Sequence, residues 1–212
     1  MTSDIFTIGH STQSWPDFLQ RLRRHDITAI ADVRSAPYSR YSPQFNREQL
    51  REALKAEGIS YVFLGNELGA RSNEDSCYVN NRVQYGLLAQ TESFRAGIAR
   101  VIEGAEKFRI ALMCAEKEPL DCHRTILVAR ELTKLGRGVQ HILIDGSLEA
   151  HQDALNRLIT QFGVLGQDLF RSLESAVNEA YEKQADRIAY RRKPGQSSGR
   201  RSGDMLYYED EN

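Results

Sequence analysis

A single α/β domain, built on a mainly parallel sheet of about five strands flanked by helices, is the fold class the sequence predicts. Two observations carry it. Short apolar runs alternate with stretches of helical spacing along most of the 212 residues, the pattern of βα units. The apolar runs are also nearly continuous, as in parallel strands buried on both faces by crossover helices. A hydrophobic content of 41% with 27% charged residues suits a globular chain.

Ile5–His10 reads as the first strand, and Trp15, Phe18, Leu19 and Leu22 fall at helical spacing behind a Ser14 cap and Pro16. Ile27–Arg34 reads as the second strand, followed by the proline-marked loop SAPYSRYSPQF and a helix over Arg47–Glu57 that Gly58 closes. Ser60–Gly65 is the third strand. The polar segment Asn66–Arg82 reads as a functional loop or lid, and helical spacing resumes from about Val83 to Lys107, interrupted by Gly86, Gly97 and Gly104. Phe108–Cys114 is the fourth strand, Thr125–Leu135 a fourth helix with Asp121 as its expected cap, and Val139–Ile144 the fifth strand. Helical patterns follow at about Leu148–Phe162 and Asp168–Ile188. The expected organisation is an α/β domain over 1–146, a helical extension over 147–190, and a disordered basic-then-acidic tail over 191–212. That tail reads as a solvated segment or as an arm for an anionic partner.

Neither a membrane-length apolar run nor a basic-then-apolar leader occurs in the sequence, which points to a cytoplasmic protein without a membrane partner. Three cysteines are too few and too scattered for a disulfide framework. A net charge of −1 leaves any nucleic-acid binding to local charge. The phosphate-binding loop of ordinary ATPases and the dinucleotide fingerprint are both missing. A tyrosine-phosphatase motif would need arginine six positions after its cysteine, where Cys114 meets Leu120 and Cys122 meets Val128.

In an open parallel sheet, ligands bind outside the carboxyl ends of the strands. The residues leaving those ends are the reactive ones: His10 from strand one; Asp32, Arg34, Ser39 and Arg40 from strand two; Cys114, Glu116, Cys122, His123 and Arg124 from strand four. Cys122, His123 and Arg124 in the first turn of a helix would favour a thiolate, or equally a bound phosphate or carboxylate. Each residue also has a structural reading. Cys114 can be a small core side chain, His10 can bond a backbone carbonyl, Asp32 can pair with Arg34 or Arg124, and Glu116 can be a solvated charge. His141, inside strand five, reads as a core histidine. No metal is assigned from spacing: seven residues separate Cys114 from Cys122, whereas zinc ligands more often come as C-x₂₋₄-C or H-x₃₋₅-H pairs, although His10 could complete a set in space. The cofactor is left open, as is the oligomeric state.

The motifs TIGHST, DVRSAPYSR, SYVFLGNELGAR, LMCAEKEPLDCHR and VQHI occur in this order between Ile5 and Gly146. In that arrangement the chain resembles the widespread bacterial family named domain of unknown function 488. The resemblance implies a compact Rossmann-like domain. Position by position it puts weight on Gly9, His10, Asp32, Arg34, Pro37, Ser39, Arg40, Leu64, Gly65, Gly69, Cys114, Glu116, Cys122, His123 and Arg124. Gly69-Ala70 stands where members commonly show paired glycines, which puts the third loop's role in question.

The leading expectation is an enzyme acting on a phosphate-containing substrate, a nucleotide or nucleic-acid segment. Arg34, Arg40 and Arg124 would hold the anion, with Asp32, Ser39 and His123 beside them; His10 or Glu116 would move protons; Cys114 or Cys122 would supply a thiolate. The alternatives are a non-catalytic phosphate- or nucleotide-binding module and a redox sensor using Cys114 and Cys122.

Overall fold

The computed structural model describes residues 4–164 and 172–193. β1 (Ile5–Gly9) leads into α1 (Trp15–Arg24), where the Ser14 hydroxyl accepts the Asp17 N–H and Pro16 occupies the first turn. β2 (Ala29–Asp32), a 3₁₀ turn at Pro43–Phe45, α2 (Arg47–Ala56) and β3 (Ser60–Phe63) follow. The segment expected as a polar loop contains α3 (Gly65–Leu68), a 3₁₀ turn at Asp75–Cys77, and a hairpin of β4 (Tyr78–Val79) and β5 (Arg82–Val83). Asn80 and Asn81 turn that hairpin with φ of 51° and 60°, a conformation asparagine tolerates.

The helical pattern from Val83 divides into α4 (Tyr85–Leu88) and α5 (Glu92–Ala105), because Thr91 caps the second helix through the Phe94 N–H. β6 (Ile110–Cys114) is followed by a 3₁₀ turn at Pro119–Asp121 and a π-helical stretch, Arg124–Ala129, that runs into α6 (Arg130–Lys134). β7 (Val139–Ile142), β8 (Leu148–Ala150), α7 (His151–Phe162) and α8 (Leu173–Ile188) complete the described chain.

Two boundaries correct the sequence expectation. Leu148–Ala150, expected as the start of a helix, pairs antiparallel with β7 and makes a sixth strand. Asp121 does not cap the fourth helix: it ends the 3₁₀ turn, whose C-cap is the extended Cys122, and His123 precedes the π-helical stretch. The Cys122 carbonyl accepts the N–H groups of Thr125 and Ile126, and its sulfur lies 3.4 Å from the Arg124 N–H.

The six strands lie in the order β3-β2-β6-β1-β7-β8, parallel except for β8. The chain leaves β1 for β2, two places to one side, and leaves β6 for β7, two places to the other. β1 and β6 are neighbours whose last residues, Gly9 and Cys114, stand opposite each other. Such a reversal of direction opens a crevice at the carboxyl ends of the two strands.

Side chains alternate across the sheet. Phe6, Ile8, Ile30 and Met113 face one core with Phe18 and Leu22 of α1 and Leu50 and Leu54 of α2. Ile5, Ala31, Leu112 and Val139 face the other, with Phe94, Ile98 and Val101 of α5. Ala176, Ala180, Tyr181 and Ala185 of α8 belong to this second core. The tail expected from 191 onward lies outside the described residues from 194. Its first residues are held: Arg191 bridges to Arg82, and Arg192 pairs with Asp75 and stacks on Tyr78. His141 is a core histidine in a chain from Thr7 Oγ1 (2.7 Å) through His151 (3.0 Å) to the Tyr181 hydroxyl (2.7 Å).

Candidate functional site

The crevice above Gly9 and Cys114 is a cleft of about 600 Å³. His10, Ser11, Thr12, Arg34, Tyr38, Ser39, Tyr41 and Arg71 line it, and Cys114, Glu116, Lys117 and His123 line the β6 side. Of the residues singled out from sequence, Asp32, Arg40, Cys122 and Arg124 are not in its wall.

The loop after β6 is shaped by close backbone approach. A Cβ on Gly9 would overlap the Glu116 carbonyl oxygen, so only glycine lets β1 run under this loop. Two buried arginines brace the two strand ends. Arg124 donates from Nη1 to the Glu116 carbonyl at 2.6 Å, and Arg21 from Nη2 to the Gly9 carbonyl at 2.7 Å. Burial, with Arg124 nearby, lowers the Arg21 pKa to about 10. The Arg124 guanidinium therefore faces backbone oxygens rather than the cleft.

Arg34 is also engaged from within. Its Nε and Nη2 grip both carboxylate oxygens of buried Asp32 (2.9 and 2.6 Å), and Nη2 reaches the Phe45 carbonyl at 2.8 Å. Tyr61 donates to the same carboxylate at 2.8 Å. The remaining Arg34 nitrogen, Nη1, lies 3.1 Å from His10 Nε2. Guanidinium can only donate and a carbonyl can only accept, so His10 carries its proton on Nδ1, bonded to the Ser11 carbonyl at 2.7 Å. Burial, with the Arg34 charge, lowers the His10 pKa to about 4, and its ring stacks on Phe45 at 4.4 Å. Arg40 is exposed and lies over the Tyr41 ring.

Cys114, Glu116, Cys122 and His123 come together at the floor: each offers one donor atom, and all four atoms lie within 4.8 Å of one another. Glu116 Oε2 is 2.9 Å from Cys122 Sγ. His123 Nδ1 is 3.6 Å from Cys114 Sγ and 4.0 Å from Cys122 Sγ. His123 Nε2 lies 3.0 Å from the Val33 carbonyl; that oxygen can only accept, so Nε2 bears a proton and Nδ1 faces the sulfurs. Burial, reinforced by the Glu116 charge, pushes both thiols up. Burial would also raise Glu116, but the His123 charge and the thiol hydrogen bonds outweigh it and bring the carboxyl down to about 2. His123 is raised: the Cys122 sulfur, Glu116 and the Val33 carbonyl outweigh its burial. The floor thus combines an ionised carboxylate with two protonated thiols. This donor set can hold a soft or borderline metal ion.

Several residues of the site were not visible as such in the sequence. Lys117 follows Glu116 directly, and its place beside that motif was the available signal. Tyr61 and Phe45 act through Asp32 and His10 by contacts that sequence spacing does not encode. Ile188 and Tyr190 reach the cleft wall from the C-terminal helix and the residues just after it. Hydrogen bonds from Gln184 to the Leu120 carbonyl (2.8 Å) and the Asp121 carboxylate (3.1 Å) hold that helix against the β6 loop.

A family model described as "Domain of unknown function DUF488" matches residues 14–130, more than half of the chain. No curated protein and no solved structure matches it.

Proposed function

The chain belongs to the DUF488 family, and from that premise we propose that the cleft is the active centre of a cytoplasmic enzyme acting on a phosphate-bearing substrate, a nucleotide or nucleic-acid segment. The observation that carries the reading is the composition of the cleft. A reactive floor of Cys114, Glu116 and His123 lies beneath walls that combine cations (Lys117, Arg71), hydroxyls (Ser11, Thr12, Ser39) and the rings of Tyr38 and Tyr41.

The roles differ from those suggested by residue type alone. Anion recognition falls to Lys117 and Arg71 on the wall, because the guanidinium groups of Arg34 and Arg124 face Asp32 and backbone carbonyls. His10 positions rather than titrates: Arg34 occupies its Nε2 and the Ser11 carbonyl its Nδ1–H. Glu116, ionised and within reach of the cleft, places a fixed negative charge at its floor; a carboxyl brought down to about 2 accepts protons poorly at neutral pH. The tyrosine rings supply faces on which a base can stack.

The test is a titration of the full chain with nucleoside mono-, di- and triphosphates and short oligonucleotides, followed by a search for turnover. At least one class should bind, Lys117→Ala should weaken it about tenfold, equivalent to about 1.4 kcal/mol, and Glu116→Gln should abolish turnover. Binding that Lys117→Ala leaves unchanged would contradict the assignment. Binding without turnover would favour a recognition module. A thiol redox sensor is supported by one observation, the closeness of the Cys114 and Cys122 sulfurs, within 4.8 Å. It predicts loss of two hydrogens after peroxide treatment.

A further inference from the structure

We propose that Cys114, Glu116, Cys122 and His123 bind one divalent transition-metal ion, zinc by the chemistry of the set. The proposal is independent of whether the cleft takes a phosphate.

The geometry is close to what zinc needs. With zinc–sulfur bonds of about 2.3 Å and zinc–nitrogen or zinc–oxygen bonds of about 2.0–2.2 Å, a tetrahedral site separates its donors by roughly 3.5–3.8 Å. The observed sulfur–nitrogen separations are 3.6 and 4.0 Å, and the whole donor set fits within 4.8 Å. The Cys122–Glu116 pair, at 2.9 Å, is closer than a shared ion would leave it, as a thiol–carboxylate hydrogen bond should be. Glu116 is the one exposed member of the four, so its side chain is the one placed to move aside and open that pair.

Three features outside the donor set point the same way. The Val33 carbonyl accepts from His123 Nε2 and so turns Nδ1 onto the sulfurs; such an outer partner fixes the ring of a metal-bound histidine. The Arg124 backbone N–H lies 3.4 Å from Cys122 Sγ, where it supports negative charge on sulfur. The Arg124 side chain holds the Glu116 and Lys117 carbonyls and so fixes the loop that carries the ligands. Glu116 itself accepts from the Cys122 thiol, and among the described residues no lysine or arginine pairs with it.

Thiolate and imidazole donors select zinc over magnesium or calcium, which prefer all-oxygen sites. On binding, the two sulfur–hydrogen bonds break, two sulfur–metal bonds form, and the two protons pass to water; no electron is transferred. Cys114, Cys122 and His123 form the inner triad, and Glu116 is the cleft-side fourth ligand. A substrate could replace Glu116, as in catalytic zinc sites that keep one position exchangeable.

The experiment strips the full chain with a chelator and titrates it with Zn²⁺ and, separately, Co²⁺. The expected result is one equivalent of either ion per chain, with the thiolate-to-cobalt charge-transfer band in the Co²⁺ spectrum. Cys114→Ser and Cys122→Ser should each weaken zinc by about 100-fold or more and reduce the band, which the double variant should lose. Glu116→Gln should retain one equivalent with affinity lowered about 10- to 100-fold, and Cys77→Ala should bind as the parent does. Absence of zinc binding by the parent chain, or unchanged affinity in a Cys114→Ser/Cys122→Ser variant with a native circular-dichroism spectrum, would overturn the proposal. If the serine variants do not fold, the parent's Co²⁺ spectrum decides, and a spectrum without the thiolate band overturns it.

Discussion

Gly9 has no side chain because none fits: the Glu116 carbonyl occupies the space a Cβ would take. Gly9→Ala should therefore cost about 1–3 kcal/mol by urea denaturation, the usual penalty of overpacking, and should weaken Zn²⁺ by displacing the loop that carries Glu116. Gly86→Ala is the matched control. Among the described residues, no atom outside its chain neighbours and its own helix lies within 4 Å of its added Cβ, so stability should hold or rise by up to about 1 kcal/mol. At this scale the sequence showed which residues are reactive but not what they face. Arg34 and Arg124 look like anion ligands by residue type, yet one grips Asp32 and the other backbone carbonyls. The seven residues between Cys114 and Cys122 hid the metal cluster, because short-range spacing rules do not see a loop folded back by a buried arginine.

The alternating strands and helices were legible because each of the main ones has a strong apolar period. Short elements were not. β8 has three residues and reads as the start of the helix behind it, and Asp121 is kept from the cap position because it belongs to the 3₁₀ turn Pro119–Asp121, with Cys122 and His123 leading on into the helix. The attachment of α8 to the sheet also has no local signal, since it runs through the Thr7–His141–His151–Tyr181 chain. Tyr181→Phe breaks that chain and leaves a buried His151 nitrogen without its partner. It should cost about 1–2 kcal/mol and lower Tm by roughly 3–6 °C, read by calorimetry at pH 7. An unchanged Tm would mean that apolar packing and the Gln184 hydrogen bonds hold α8 without this chain.

Taken as a whole, the molecule is a parallel sheet whose chain direction reverses between β1 and β6, and that reversal places the cleft. The same architecture buries three histidines whose pKa values are lowered, His10, His141 and His151, which ties stability to pH. His10 faces Arg34, Asp32 and Glu116, and His151 faces His141 and Tyr181; both have pKa values lowered to about 4, His10 by burial with the Arg34 charge and His151 by burial. The unfolded chain takes up these protons near pH 6.5 and the folded chain only near pH 4. Their contribution is thus complete above about pH 6.5 and is lost as the pH falls towards 4, by on the order of 2–3 kcal/mol per histidine. Urea midpoints should drop between pH 7 and 4.5, and His151→Gln should flatten the dependence; equal midpoints in the parent would contradict this. The most direct measurement of the central claim is anomalous X-ray scattering on either side of the zinc edge, from crystals of the full chain grown with Zn²⁺. The account predicts one peak about 2.3 Å from the sulfurs of Cys114 and Cys122 and about 2.0–2.1 Å from His123 Nδ1. A map with no peak among those residues would contradict it.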